Sequence, residues 1–317
     1  MTESRVSWQV LAGDCRDVLT DLERGSVQTC VTSPPYFGLR DYGHGEQIGL
    51  EPTPAEFVDS LVTAFRAVRD VLADDGTVWL NLGDSYAGGG CGARDPERWP
   101  KQSRNDHMPV HAKAATGLKN KDLLGIPWMV AFALRADGWY LRSDIIWAKP
   151  NPMPESVQDR PTKAHEYLFL LSKSPRYFYD AGAIREPHAR TWDEETNGRG
   201  SISFGGNTRP NKHNNLPVLP HPEGANKRTV WTVATQPYSG AHFATFPPKL
   251  IEPCILAGCP EGGTVLDPFS GAGTTGMVAL RHNRSYIGVE LNPEYAELSR
   301  RRITDDAPLL NSFSEAA

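Results

Sequence analysis

The sequence predicts an α/β fold, an open and mainly parallel twisted sheet flanked by helices. Three observations lead there. Short apolar, β-prone runs alternate with amphipathic helical patterns along most of the 317 residues. A glycine-rich turn, GAGTTG at 271–276, joins an apolar run to a helical pattern near the far end. Two long aperiodic stretches interrupt the alternation without replacing it.

Taken in order, WQVLAGD reads as a strand ending at Asp14, CRDVLTDL as a short helix and SVQTCVTS as a second strand. Thr53 is placed to cap a helix in which Phe57, Leu61, Phe65, Val68 and Leu72 recur at helical spacing and which Gly76 stops. TVWLNLGD is then a strand. From about 85 to 122 the pattern fails, and Arg94, Arg98, Lys101, Arg104, Lys113, Lys119 and Lys121 outnumber the acidic residues there. The order resumes with the helix PWMVAFALRADG, the strand WYLRSDIIWAK, a Pro-rich segment and the strongly apolar strand YLFLLSKS. A second irregular region covers about 181–240. The last part, from GTVLDPF to SRRRI, reads strand, glycine loop, helix, strand, helix.

Composition bounds what such a chain can do. With 39% apolar and 22% charged residues it is ordinary globular material, long enough to bury a sizeable core. The formal charge of −5 argues against a uniformly basic nucleic-acid coat and leaves room for a local basic groove. Five scattered cysteines without a C-x-x-C pair support neither a disulfide framework nor a zinc site, so no metal is expected. With no apolar leader pattern and no long apolar run, a cytoplasmic protein without a membrane span is expected.

Two short motifs carry chemistry. In VLDPFSGAGTTG an apolar strand runs into Asp267, glycines permit close backbone approach, and a helix opening at Thr274 or Thr275 offers unpaired N–H groups. Glu290 closes the next strand, where an acidic side chain can accept ribose hydroxyls. A nucleoside-bearing cofactor is implied. The glycines alone do not say which; nicotinamide dinucleotide stays open, while the absence of G-K-[ST] disfavours a triphosphate.

The second motif, Ser33-Pro34-Pro35-Tyr36, leaves the strand SVQTCV at the ligand-binding edge of such a sheet. In isolation these residues also suit a turn. At that edge the Ser33 hydroxyl and the Pro34 carbonyl can accept bonds from an NH₂ group, while the Tyr36 ring can stack on a planar base. That arrangement suits methylation of an exocyclic amine. The lone pair of such an amine is delocalised into its ring, and holding both N–H bonds on fixed acceptors favours a pyramidal, nucleophilic nitrogen.

TSPPY followed much later by DPFSGAGTT resembles the amino-group DNA methyltransferases that use S-adenosylmethionine, in the β-class order with catalytic motif first and cofactor motif last. AGDCRDVL, GTVWLNLGD, IIWAKPNPMPESVQDRPTKAHEYLFLLSKS and HFATFPPKL also look like family blocks in the family's order. The resemblance implies a Rossmann-like methyltransferase fold over 1–180 and 241–317, with a target-recognition region at 181–240. It implies Ser33, Pro34, Pro35 and Tyr36 as the catalytic loop. Phe269 would pack near the cofactor, Asp267, Gly271, Gly273 and Thr274 would shape its methionine end, and Glu290 would bind its ribose. Asp14 would approach the adenine, and Thr245, Phe246 and Pro248 would close the other side.

Double-stranded DNA is the implied partner, with the target base flipped out of the stack and Arg199, Arg209 and Lys212 as candidate DNA contacts. Ser in the first catalytic position favours N4 of cytosine over N6 of adenine, as a family tendency. A companion restriction endonuclease and a homodimer are both compatible with the resemblance. Two competing readings remain at this point: a nicotinamide-dependent oxidoreductase, and a DNA-binding module without catalysis.

Overall fold

The structure is a computed structural model that describes residues 6–39, 44–45, 47–87, 117–188, 221–236 and 245–306. Its eight strands are β1 (Trp8–Ala12), β2 (Val27–Thr32), β3 (Leu72–Leu82), β4 (Tyr140–Ala148), β5 (His165–Ser172), β6 (Val230–Thr232), β7 (Thr264–Asp267) and β8 (Ser285–Glu290). They form one sheet in the order β1-β8-β7-β2-β3-β5-β4-β6. Every pairing is parallel except the two made by β5. The carboxyl ends of the other seven strands and the start of β5 therefore share one edge.

Among the described residues six α-helices cover the sheet: α1 (Cys15–Val18), α2 (Pro54–Val71), α3 (Ile126–Ala136), α4 (Pro248–Gly258), α5 (Thr274–Arg281) and α6 (Pro293–Asp306). Alternation along the central strands sorts the core into two layers. Val78, Leu80, Leu82, Phe169 and Leu171 pack with the apolar stripes of α2 and α3. Trp79, Leu168 and Leu170 pack on the opposite side with α4, α5 and α6. At roughly 1.5–3 kcal/mol for each large apolar side chain removed from water, these two layers outweigh local propensity where the two conflict.

Such a conflict occurs at the end of α2. The helical pattern through Leu72 and on to Gly76 is overruled: the helix stops at Val71, and Leu72 turns extended (ψ 137°) to pair with Val27 of β2. The segment that follows is tied down from outside, because Phe178 N donates to Asp75 O at 2.9 Å and Lys173 Nζ to Leu72 O at 2.7 Å. Thr53 caps α2 as the sequence indicates, accepting from Glu56 N at 3.2 Å. β1 ends at Ala12 rather than Asp14. Gly13, at φ +143°, turns the chain so that Asp14 becomes the cap of α1, accepting from Arg16 N at 2.8 Å.

The two aperiodic stretches differ. Of the first, residues 88–116 lie outside the described residues. Its two ends meet, with Ala87 N donating to Asp122 O and Lys121 N to Ala87 O, both at 2.8 Å. The Asp84 carboxylate then accepts from Gly125 N (3.0 Å) and Ile126 N (3.2 Å) at the start of α3. The second stretch is not wholly irregular. Its residues 230–232 return to the sheet as β6, which adds an edge to β4 and buries Trp231 against Trp79 (ring centroids 6.4 Å apart). Helix α4, which no sequence pattern marked, begins at Pro248 and carries Pro253 within it. No helix among the described residues is long and apolar enough to cross a membrane.

Candidate active site

Strand order reverses between β7 and β2, since the chain leaves β7 toward β8 on one side and β2 toward β3 on the other. Open α/β sheets bind ligands in the crevice at such a point. Here a cavity of about 880 Å³ opens there, and residues at or just beyond the edge-facing ends of the described strands line it. Ser33, Pro34, Pro35 and Tyr36 form one wall, and Phe269, Gly271 and Thr274 another. The two motifs, more than 230 residues apart in sequence, thus face a common space.

The tie between them is direct. Asp267 ends β7 fully buried, and its carboxylate accepts from Thr32 Oγ1 (2.6 Å), Thr275 Oγ1 (2.6 Å) and Phe269 N (3.1 Å). Burial pushes this carboxyl up to about 6, against the downward pull of those three bonds. Asp267 lines the cavity, yet its bonds are spent on holding the end of β2 and the cofactor-type loop in fixed relation.

Glu290 ends β8 at the same crevice. One of its oxygens accepts from Gly271 N at 2.8 Å and the other from Asn292 N at 3.0 Å. Burial raises its pKa, and the two N–H bonds oppose the rise. An ionised carboxyl has about four acceptor sites, so capacity for a diol remains. Leu291, Leu298 and Phe246 supply apolar wall nearby, which suits the flat face of a purine. Asp14 also lines the cavity, but Arg16 binds its carboxylate through both oxygens. Burial would raise Asp14, and the bonds and charge of Arg16 outweigh it and hold the carboxyl below its usual range.

On the S-P-P-Y side, Tyr36 lies against Gly83, where any side chain would collide with its ring. Its hydroxyl is 2.7 Å from Glu166 Oε2 and 3.2 Å from Asn81 Oδ1. Lys149 pairs with the other oxygen of Glu166 and stands 4.2 Å from the Trp147 ring centre. Cys15 also lines the cavity, but burial drives its thiol up to about 12, so it is no ready nucleophile.

Thr245 and Phe246 line the cavity as expected, whereas Pro248 sits back from it as the first residue of α4. Gly273 likewise is not among the residues lining the cavity; at φ +73° it faces α6, where a Cβ would collide with Ser299 Oγ, so its lack of a side chain permits helix packing. Arg199, Arg209 and Lys212 lie outside the described residues. Sequence reasoning missed Asn81, Lys149 and Glu166. The last two flank the Pro-rich segment between β4 and β5, and polar residues bounding apolar strands are the signal by which they were open to detection. Asn81, inside an apolar run, gave the signal of a buried polar group that must find partners.

A family model described as DNA methylase matches residues 27–301. The chain is 50% identical over 291 residues to the Type II methyltransferase M.Cfr9I of Citrobacter freundii, covering 92% of this chain and 86% of that protein. It is 46% identical over 297 residues to the Type II methyltransferase M.SmaI of Serratia marcescens, covering 94% and 91%. Among solved structures, the PvuII DNA methyltransferase (cytosine-N4-specific) shares the fold at a TM-score of 0.63 and 19% identity, over 97% of this chain and 94% of that one. A putative DNA modification methylase of Thermus thermophilus, solved in complex with S-adenosyl-L-methionine, does so at 0.57 and 24%, over 95% and 94%.

Proposed function

The chain belongs to the DNA methylase family of N6- and N4-acting amino-methyltransferases, and on that footing we propose that it methylates the N4 amine of a cytosine flipped out of duplex DNA, with S-adenosylmethionine as donor. The observation that carries the choice of base is Ser33 at the head of the S-P-P-Y loop on the cavity wall. Members of the family with serine there mostly act on cytosine.

The residues present fit the cofactor. Glu290 supplies an acceptor for a ribose diol, with apolar wall beside it, and Gly271 brings backbone close to the cavity. S-adenosylmethionine supplies an electrophilic methyl group on a sulfonium. This chain's part is to prepare the nitrogen that takes it. Ser33 Oγ and the Pro34 carbonyl accept the two N–H bonds, drawing the lone pair out of conjugation. The Tyr36 ring stacks on the base and holds its plane. On accepting the methyl that the sulfonium would supply, the nitrogen would give up one proton to solvent.

Holding geometry fixed before reaction is how such a site gains rate. The Asp267 link from Thr32 to the loop at Phe269 does this for the two walls. Residues 181–240 would hold target recognition, with Arg199, Arg209 and Lys212 as phosphate or base contacts. A dehydrogenase built on the glycine loop leaves the S-P-P-Y wall without a task.

The test is nucleoside mass spectrometry of unmethylated duplex DNA incubated with the purified protein and S-adenosylmethionine. N4-methylcytosine is expected. N6-methyladenine overturns the base, and no methylated nucleoside on DNA containing every short site overturns the activity of this chain.

A further inference from the structure

Tyr36 is anchored at both ends. Its backbone follows β2, and its hydroxyl reaches β5, where Glu166 Oε2 accepts at 2.7 Å. A phenol has one proton to give, and this shorter contact, to a carboxylate, receives it. Asn81 Oδ1, 3.2 Å away, stands on β3 beside the same oxygen, and the amide is oriented by its own bond from Nδ2 to Tyr167 O at 3.1 Å.

Glu166 is in turn held. Lys149 binds its second oxygen, and both side chains are largely shielded, 18% exposed for the lysine and 16% for the glutamate. Trp147, opposite Glu166 in the β4–β5 register, lies beneath the Lys149 ammonium. In such a setting a charge-assisted bond is stronger and more directional than one in water. Gly83 lies against the ring, and a Cβ there would collide with it, so the Tyr36 ring packs on bare backbone at that point.

We infer that Glu166, set by Lys149, is a positioning residue for the Tyr36 ring: through the phenol hydroxyl it fixes the plane on which the target base stacks. The inference rests on the methyltransferase reading above and deepens it. Glu166 acts on the reaction through Tyr36. A purely structural pair stitching β4 to β5 would act independently of the phenol oxygen.

The experiment is a double-mutant cycle on the full chain, measuring methyl transfer from labelled S-adenosylmethionine to unmethylated genomic DNA, with cofactor affinity followed by calorimetry. Tyr36→Phe keeps the ring and removes the anchor; Glu166→Gln removes the charge. Each is expected to lower kcat about tenfold or more with cofactor affinity unchanged, and the double variant to be no slower than the slower of the two singles. Effects that multiply in the double variant, or a Tyr36→Phe enzyme as fast as wild type, overturn the positioning role while the wild-type activity stands. A wild-type protein that transfers no methyl overturns the underlying reading instead. Should Glu166→Gln not fold, Lys149→Met takes its place in the cycle, with the same masking by Tyr36→Phe expected and the same additivity overturning the inference.

Discussion

Thr32 Oγ1 donates to Asp267 at 2.6 Å, joining the residue before the S-P-P-Y loop to the residue before the glycine loop, 235 positions along the chain. The bond crosses between adjacent strands at the point where strand order reverses. It makes the relative placement of the two cavity walls a property of one buried carboxylate.

Replacing Thr32 with Val keeps shape and removes that bond. The cost in stability is expected to be about 1–3 kcal/mol, because Asp267 loses a partner while buried. Methyl transfer should fall more than cofactor affinity, since Thr275 and Phe269 N still hold the glycine-loop side. Denaturant unfolding, calorimetry and turnover together check this; equal losses in binding and turnover would refute it.

The carboxyl of Asp267 also makes a pH prediction. Its folded value of about 6 exceeds the ordinary 3.8, so between those values the folded chain keeps a proton that the unfolded chain releases. Its contribution to stability is therefore complete below about 3.8 and lost as pH rises through about 6, a change of roughly 3 kcal/mol. Thermal unfolding of wild type and Asp267→Asn should differ in the wild type's favour most at the acid end of this window, with the gap shrinking toward neutrality. A gap independent of pH would contradict the assignment.

Tyr36→Ala removes the ring proposed to stack on the base and leaves the proposed cofactor wall untouched. Methylation should drop by about two orders of magnitude or more, with S-adenosylmethionine affinity within about twofold of wild type. Undiminished turnover would overturn the proposed role of Tyr36.

Glu290→Ala should do the reverse. Losing the acceptor proposed for the ribose, together with the bonds to Gly271 N and Asn292 N, is expected to weaken cofactor binding by about tenfold to a hundredfold. Calorimetry with S-adenosylmethionine measures it, and unchanged affinity would move the ribose site elsewhere.

Gly273→Ala tests packing rather than ligand contact. A side chain at φ +73° is strained, and its Cβ would press on Ser299, including the backbone Cα at 3.2 Å. A loss of about 1–3 kcal/mol is expected from the backbone alone. An unchanged denaturation midpoint would show that α6 yields freely.

What the sequence by itself determined was local. Alternation and helical period located seven of the eight strands. A threonine before a proline marked the start of α2, and two motifs named the residues that end up on opposite walls of the cavity. Those signals survive reading in one dimension because they arise from neighbours in the chain: propensity, caps, and glycines where backbone must approach closely. What only the tertiary structure decided was every feature whose partner lies far away in sequence. Leu72 became strand because β2 was there to pair with it, and Trp231 became core because β4 and Trp79 offered an edge and a surface. Asp267 became a brace and Glu166 a partner of Tyr36 because buried polar groups must find bonds, and the sheet alone brings Thr32 and Tyr36 within reach of them.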